Sequence, residues 1–431
     1  MKTLIKNALI LTMNETDDQP VTGDILIKDH TIQYIGTVSE EIADEVIQAD
    51  GMVAMPGLIN THNHSPMSLL RAFSDDLRLM EWLEKKMLPA EARMTKEDIY
   101  WGSMLAIIEM IKSGTTSYAD MYIHMDYIAE AVKDSGIRAS LTRGLIQLKD
   151  DGGKRLEEGL ELMQKWSGKA DGRITTMLGP HAPYTCPPSF IEKIATLAKE
   201  MQVPIHIHLA ETHEEVSKMK QKYGKTPTQY LYDLGLFSGD YHVLLAHGVH
   251  VDDQDISFLK ANKGGIAHNP FSNLKLGCGI APIKKYLDAG ITVGIGTDGA
   301  GSASSLDLFK EMKFTGGLQK VNYFDPTVID AKTLLKMATI EGAKLLHIDR
   351  YVGTLEVGKL ADIILIDIMQ PHLVPHNDIY ALLAYSATGS DVHTSIIHGN
   401  IVMRDRKLQT VDEAFVLREA LQRVQRLIKE I

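Results

Sequence analysis

Residues 55 to 71 read MPGLINTHNHSPMSLLR, an apolar run that ends in His62, Asn63 and His64. On a strand, residues i and i+2 point to the same face, so both imidazoles can converge on one point. Neutral imidazole is a common zinc ligand, and three protein ligands plus a water is the usual catalytic arrangement. Similar residue types recur at the ends of later β-rich runs. His181 lies in GPHAPYT, His206, His208 and Glu211 in HIHLAET, His247 in LAHGVH, His268 in AHNPFSN and Asp298 in GIGTDGAGS. His208 supplies a third imidazole, and Asp298 a carboxylate after the last run. A lone H-x-H is weak evidence for a metal, and an aspartate after a glycine is ordinarily a turn residue. The ordered combination is what carries information. Of the other histidines, His206 reads as a packed histidine deeper than His208 and His268 as a loop or supporting group. His124, His213 and His250 read as solvent-exposed.

These residues need a scaffold that brings strand ends together. Apolar, β-rich runs recur near 53–61, 115–120, 138–144, 174–180, 204–210, 242–247, 264–268 and 292–297. Between most of them lie stretches such as KEDIYWGSMLAIIEMIKSG and SFIEKIATLAKEMQ, whose apolar residues recur at three-to-four spacing. The pattern predicts an α/β fold, a (β/α)8 TIM-type barrel, with a doubly wound sheet as the alternative. Chemistry gathered at the strand ends favours the barrel. Residues 1–55 read as short strands, with a hairpin in DILIKDHTIQYIG turning at Asp29-His30. A second hairpin, in SIIHGNIVMRDRKLQ, turns at Gly399-Asn400. A cluster of fifty residues buries little core alone. We therefore expect one small β domain assembled from residues 1–55 and 353–431, the barrel occupying 56–352, and a terminal helix over 412–431.

Composition narrows the partners. The 431 residues are 44% hydrophobic and 23% charged, with a formal net charge of -11. An acidic surface disfavours phosphate backbones and anionic membranes, so the expected partner is a small molecule, with no nucleic acid and no membrane. Two cysteines far apart, Cys186 and Cys278, give no disulfide framework and suit a reducing cytoplasm. No apolar run is long enough to span a bilayer. The first residues lack a small-residue cleavage site, so they do not read as a signal peptide. A homo-oligomer is compatible with the sequence.

The stretches PGLINTHNH, HLAET, AHGVH, HNPFSNLKLGCGIAP, GTDGAGSASSLD and VGTLEVGKLADIILID resemble the amidohydrolase superfamily, and most closely its 5-methylthioadenosine/S-adenosylhomocysteine deaminase family. The resemblance runs over essentially the whole chain. It implies a composite β-sandwich plus barrel, one Zn2+ per subunit, and hydrolytic deamination of a purine nucleoside. It places the metal on His62, His64, His208 and Asp298 and gives the acid-base role to Glu211. It sets Glu91 and His181 against the substrate, with Arg143 and Arg155 near the substrate's far end. Fe2+, Mn2+ or Ni2+ could occupy a similar ligand set.

The implied chemistry suits the groups present. Zinc lowers the pKa of a bound water from about 15.7 to about 7. Asp298 can take the water proton, His247 can orient the attacking oxygen, and Glu211 can protonate the neighbouring ring nitrogen. Glu91 ends a long excursion, SDDLRLMEWLEKKMLPAEARMT, that could cover the strand ends; its carboxylate could accept two hydroxyls of a ribose, or it could be a surface glutamate. A two-metal cyclic amidase would need a lysine in TTMLGPHAPYT, which has none, and the P-C-x-x-C of cytidine-type deaminases is absent. Guanine, cytosine or triazine hydrolysis remains the alternative reaction. A metal-binding protein without catalysis would have had no need to keep Glu211, His247 and Asp298 together.

Overall fold

The computed structural model describes residues 1–14, 19–77 and 79–428. The predicted inner runs form eight parallel strands in two sheets. The first sheet holds β1 (Leu58–Asn63), β2 (Thr115–Tyr122), β3 (Arg138–Arg143) and β4 (Ile174–Met177). The second holds β5 (Ile205–Leu209), β6 (Val243–His247), β7 (Gly265–His268) and β8 (Thr292–Ile295). A parallel bridge between Leu178 and Ile205 links the sheets at one edge. At the other, the N–H groups of Thr297 and Asp298 donate to the His62 carbonyl at 3.2 and 2.9 Å. Ile59, Ala119, Met177, Leu244 and Ala267, from β1, β2, β4, β6 and β7, form one buried apolar cluster with Ala343, Leu345 and Leu346.

Parallel neighbours need long crossovers, and helices supply them. The helix Lys96–Lys112 joins β1 to β2. Its cap residue Thr95 accepts the Asp98 N–H, while the Asp98 carboxylate accepts the Thr95 N–H at 2.6 Å. Two otherwise unpaired amide groups are thereby satisfied. Ile99, Ile107, Ile108 and Ile111 give the helix its buried side. The chain then turns at Gly114, whose φ of 87° is left-handed.

The two chain ends share a nine-stranded mixed sheet among the described residues. Ile363–Asp367 pairs antiparallel with Met52–Pro56, Ile363 opposite Pro56 and Asp367 opposite Met52. The hairpin at Asp29-His30 lies as expected, between Val21–Lys28 and Thr31–Gly36. The second hairpin turns one residue earlier than the sequence suggests, at His398-Gly399, because both adopt positive φ (53° and 72°) while Asn400 already pairs with Ile397. The run 53–61 is not one strand but two. The chain leaves the mixed sheet at Pro56 and enters β1 at Leu58. Gly57 makes the crossing because a Cβ there would lie 2.1 Å from the Thr116 side chain. The terminal helix is Glu413–Ile428, and residues 429–431 of that expectation lie outside the described residues. No described helix is long and apolar enough to cross a membrane.

A buried ion pair fastens β3 to the mixed sheet. Arg138 donates from Nε to Asp362 Oδ2 at 2.9 Å and from Nη2 to Oδ1 at 3.1 Å, and Oδ1 also accepts the His398 N–H at 2.7 Å. Removing one partner leaves the other charge buried and uncompensated, a loss of about 3–5 kcal/mol. Arg138→Leu is expected to lower the thermal unfolding midpoint clearly while metal content per folded chain stays at the wild-type level. A variant that unfolds at the wild-type midpoint would show that the pair does not hold the two sheets together.

Candidate metal centre and active site

His62, the fifth residue of β1, is fully buried, and His64 follows the strand's last residue. Their Nε2 atoms lie 3.5 and 3.2 Å from Asp298 Oδ1. His208 on β5 brings its ring centroid to 4.9 Å from that of His62, and His247 on β6 comes to 5.4 Å. Two donor triads result, His62/His64/Asp298 and His62/His208/His247, each with its candidate ligand atoms within 4.8 Å of one another. The four residues of the expected ligand set are therefore brought together around His62. His247 stands within the same reach.

Each ring is held by its other nitrogen. His62 Nδ1 lies 2.8 Å from His206 Nε2, His64 Nδ1 2.6 Å from the Met121 carbonyl, and His208 Nδ1 2.8 Å from the His181 carbonyl. His247 Nδ1 lies 2.9 Å from Asn273 Oδ1. Acceptors at Nδ1 select the tautomer whose Nε2 carries a lone pair, the usual support of a metal-binding imidazole. His62 Nε2 is buried and has no hydrogen-bond partner. A buried lone pair facing a carboxylate is a position a cation would satisfy, so the donor set fits a divalent metal.

Asp298 is shaped for the same task. Its Oδ2 accepts the hydroxyls of Ser272 and Ser302, both at 2.7 Å. Its Oδ1 accepts the Gly299 N–H at 2.8 Å and faces His62 and His64. Both Asp298 and His247 have left-handed φ, 63° and 77°, an uncommon backbone for such residues that clusters at functional sites. Burial pushes His62 down to about 3 and His181 to about 4, and holds His208 well below its ordinary value. These rings are neutral at pH 7, as metal ligation requires. Burial alone would raise the Asp298 carboxyl, but His62, His64 and His247 around it hold it well below the usual carboxylate range.

The centre opens on a cavity of about 420 Å³, a size suited to a small-molecule ligand. His64, His208, Glu211, His247 and Asp298 line its floor. Glu91, His181, Arg143 and Arg155 line it further out, beside an apolar wall that includes Trp82, Leu88 and Ile146. Every expected site residue except His62 thus reaches this one space. Glu211 Oε2 lies 3.9 Å from His247 Nε2, and Oε1 lies 3.9 Å from Cys278 Sγ. Burial raises the Glu211 carboxyl, which favours a group able to carry a proton.

Glu91 ends the helix Leu88–Glu91 and faces the cavity rather than solvent. Tyr122 donates its hydroxyl to Glu91 Oε1 at 2.6 Å, and burial raises the carboxyl. His181 Nδ1 lies 3.1 Å from Thr185 Oγ1. The arginines are already engaged: Arg143 Nε donates to Glu158 at 2.9 Å, and Arg155 Nη1 donates to Asp151 at 3.1 Å and to the Ile146 carbonyl at 3.0 Å. His206 is the packed supporting histidine expected. His268 is no loop residue: it ends β7, fully buried. His250 is half-buried, with Nε2 2.7 Å from the Cys278 carbonyl, whereas His124 and His213 are exposed. Sequence reasoning missed Tyr122, Ser272, Asn273 and Ser302. Ser272 and Asn273 lie in the quoted HNPFSN and Ser302 in GTDGAGS, so proximity to the motifs was their one available signal.

Comparison with known proteins agrees with this geometry. The Amidohydrolase family model matches residues 53–402. A 5-methylthioadenosine/S-adenosylhomocysteine deaminase of Desulforudis audaxviator is 47% identical over 435 residues, covering 100% of each chain. A 5'-deoxyadenosine deaminase of Methanosarcina mazei is 46% identical, covering 99% of each chain. The solved structure of an adenosine deaminase from Xanthomonas campestris with bound zinc superposes with a TM-score of 0.94 at 29% identity, covering 100% of this chain and 99% of that one.

The donor geometry predicts one tightly held divalent ion per chain. Elemental analysis of the purified wild type should find it, and the double variant His62→Ala/His64→Ala should lack it. Normal metal content in a folded double variant would exclude this site as the centre.

Proposed function

The chain belongs to the amidohydrolase family, and from that premise we propose that it is a zinc-dependent deaminase of adenine nucleosides. It converts 5'-methylthioadenosine and S-adenosylhomocysteine to their inosine analogues and releases ammonia. The observation that carries this reading is the convergence of three imidazoles, Asp298 and Glu211 on the floor of one cavity of about 420 Å³. The relative at 47% identity over the whole chain, which bears this activity in its name, supports it.

In this reading His62, His64, His208 and Asp298 hold a single zinc ion. When bound, the ion supplies Lewis-acid charge that makes water a usable nucleophile near neutral pH. Asp298 accepts the proton of the attacking water. His247 hydrogen-bonds the attacking oxygen from the opposite side and stabilises the charge that develops on it. Glu211 gives its proton to the ring nitrogen beside the attacked carbon. The new carbon–oxygen bond makes the ring carbon tetrahedral. The proton taken by Asp298 then passes to the amine, the exocyclic carbon–nitrogen bond breaks with release of ammonia as the carbonyl forms, and the hydroxyl's remaining proton returns to Glu211. Glu91, oriented by Tyr122, accepts the two ribose hydroxyls, and His181 contacts the base. Arg143 and Arg155 stand at the far end, toward the 5' substituent.

The eight strands fit a closed (β/α)8 barrel over 56–352. The Leu178–Ile205 bridge and the hydrogen bonds to the His62 carbonyl support closure. The ladder between Met52–Pro56 and Ile363–Asp367 supports a composite domain from 1–55 and 353–431. The relative at 46% identity named for 5'-deoxyadenosine favours a second substrate with no polar 5' group, and the apolar wall by Trp82 and Leu88 suits it.

Ammonia release should be measured for 5'-methylthioadenosine, S-adenosylhomocysteine, 5'-deoxyadenosine, adenosine, 2'-deoxyadenosine, adenine, guanine, cytosine and a chlorotriazine. The 5'-substituted and 5'-deoxy ribosides are expected to have the highest kcat/KM. Better turnover of guanine, cytosine or the triazine would overturn the substrate assignment. Glu211→Gln keeps shape but removes the proton, so kcat should fall by about 10²–10⁴-fold with metal retained. Glu91→Ala should lose most of the preference for adenosine over 2'-deoxyadenosine, because the intact site leaves a buried carboxylate unpaired when a hydroxyl is missing.

A further inference from the structure

Between the ligand His208 and the acid-base Glu211, the chain must leave β5 and turn its side chain back into the cavity. Ala210 makes that turn with φ of 49°, a left-handed conformation that a non-glycine residue adopts at a cost. Something must hold it. On one side, the Ala210 carbonyl accepts the N–H groups of Val249 and His250 at 3.1 and 2.9 Å. On the other, a single carboxylate takes both adjacent amides: Glu215 Oε1 accepts the Ala210 N–H at 3.0 Å, and Oε2 accepts the Glu211 N–H at 2.8 Å.

Glu215 belongs to the first turn of the helix His213–Tyr223, whose cap residue Thr212 accepts the Glu215 N–H at 3.1 Å. An acidic residue at this position ordinarily reaches back to the cap residue's own amide. Here it reaches further back, to the two amides before the cap. The side chain is 5% exposed, and no ion pair reaches it among the described residues. A carboxylate buried without a cation is expensive, and its two backbone donors are what offset that expense. Both of those donors lie in the turn that aims Glu211.

We propose that Glu215 is a positioning residue for the acid-base glutamate: its carboxylate clamps the Ala210–Glu211 turn and so sets where the Glu211 carboxyl meets the substrate. This rests on the assignment of Glu211 as the acid-base group. Glu215 touches neither substrate nor metal. Its effect therefore passes through Glu211, and it belongs in the proton-transfer step rather than in binding. A misplacement of about 1 Å in a reacting group can lower a rate by about 10²-fold.

The test uses Glu215→Gln, which keeps the shape but replaces one acceptor with a donor that must face a backbone N–H. Glu215→Asp, which keeps both oxygens on a shorter stem, guards against misfolding of the first variant. Expected for Glu215→Gln are kcat lowered at least tenfold, KM within about threefold of wild type, and unchanged metal content. Glu215→Asp is expected to recover part of the loss. In a Glu211→Gln background the further substitution Glu215→Gln should change kcat less than twofold, since the group it positions is already gone. A loss in that background as large as in wild type would overturn the proposal, as would parallel loss of metal, of substrate affinity and of folded protein. A crystal structure of Glu215→Gln gives a readout free of activity. The Glu211 carboxylate should be displaced from its wild-type position, and an unmoved carboxylate would also overturn the proposal. If the wild type releases no ammonia from any adenine nucleoside, the functional reading fails, while the position of Glu211 in the variant still decides the role of Glu215.

Discussion

The carbonyl of His62 accepts the N–H groups of Thr297 and Asp298, while its ring faces the Asp298 carboxylate across 3.5 Å. One pair of residues therefore joins β1 to the chain just beyond β8 and places the first ligand beside the last. The backbone contact satisfies edge groups that would otherwise be buried without partners. The side-chain contact sets two lone-pair donors where neither has a proton to offer the other. Such an arrangement is unfavourable in a dry interior unless a cation is shared, so the seam of the fold and the metal centre impose one requirement. The rest of the site is built outward from it. His206 fixes the His62 ring from below, and Ser272 and Ser302 occupy the second oxygen of Asp298 from the side.

The loops that carry the site follow a shared plan. After β1, Asp120 accepts the Ser65 N–H at 3.0 Å, directly behind His64. After β5, Glu215 accepts the amides of Ala210 and Glu211. After β7, Glu311 accepts the Phe271 N–H at 3.0 Å, just before Ser272 and Asn273. All three carboxyls are buried, and burial pushes them up, Asp120 to about 6, Glu215 to about 7 and Glu311 to about 8. Asp120 and Glu215 each hold two donors in fixed directions and Glu311 holds one, which a hydrophobic contact cannot do. The fold thus spends stability on burying acids where loop backbone must be placed to a fraction of an ångström.

How much of this was legible in the sequence depended on how restrictive each role is. That His62, His64, His208 and Asp298 would be brought together could be read, because few residue types suit a divalent metal and the period of a strand fixes which of them share a face. Gly57 could not: the apolar run 53–61 is continuous while the chain changes sheets beneath it, and both environments favour the same residues. The loop half of the reading of His268 failed because a histidine beside Asn-Pro looks like loop, whereas the strand extends to include it. The second hairpin lies one residue earlier than expected because His398 takes a left-handed conformation that a histidine ahead of a glycine does not signal. Ser272, Ser302, Asn273 and Tyr122 escaped notice because hydroxyls and amides have many ordinary uses. Their roles emerge only when the acceptor each one faces is known.

Five side chains lie within reach of one centre, yet they divide by charge. Imidazole ligands bring a divalent cation no compensating charge, which a carboxylate beside them can supply. Asp298 Oδ1 stands between His62 and His64 at 3.5 and 3.2 Å. His247 stands on the other side, 3.9 Å from the Glu211 carboxylate, and the carboxylates around it outweigh burial and leave its ring raised toward protonation. A ring whose neighbours draw its pKa upward is a weaker candidate for metal ligation than the rings that burial holds down, and a better hydrogen-bond donor. The proposed function accordingly sets the cation beside Asp298 and leaves His247 to serve the oxygen that attacks. In our reading the overlap of the two donor triads is what lets one compact site hold a metal and, a few ångströms away, keep a proton available for the reaction.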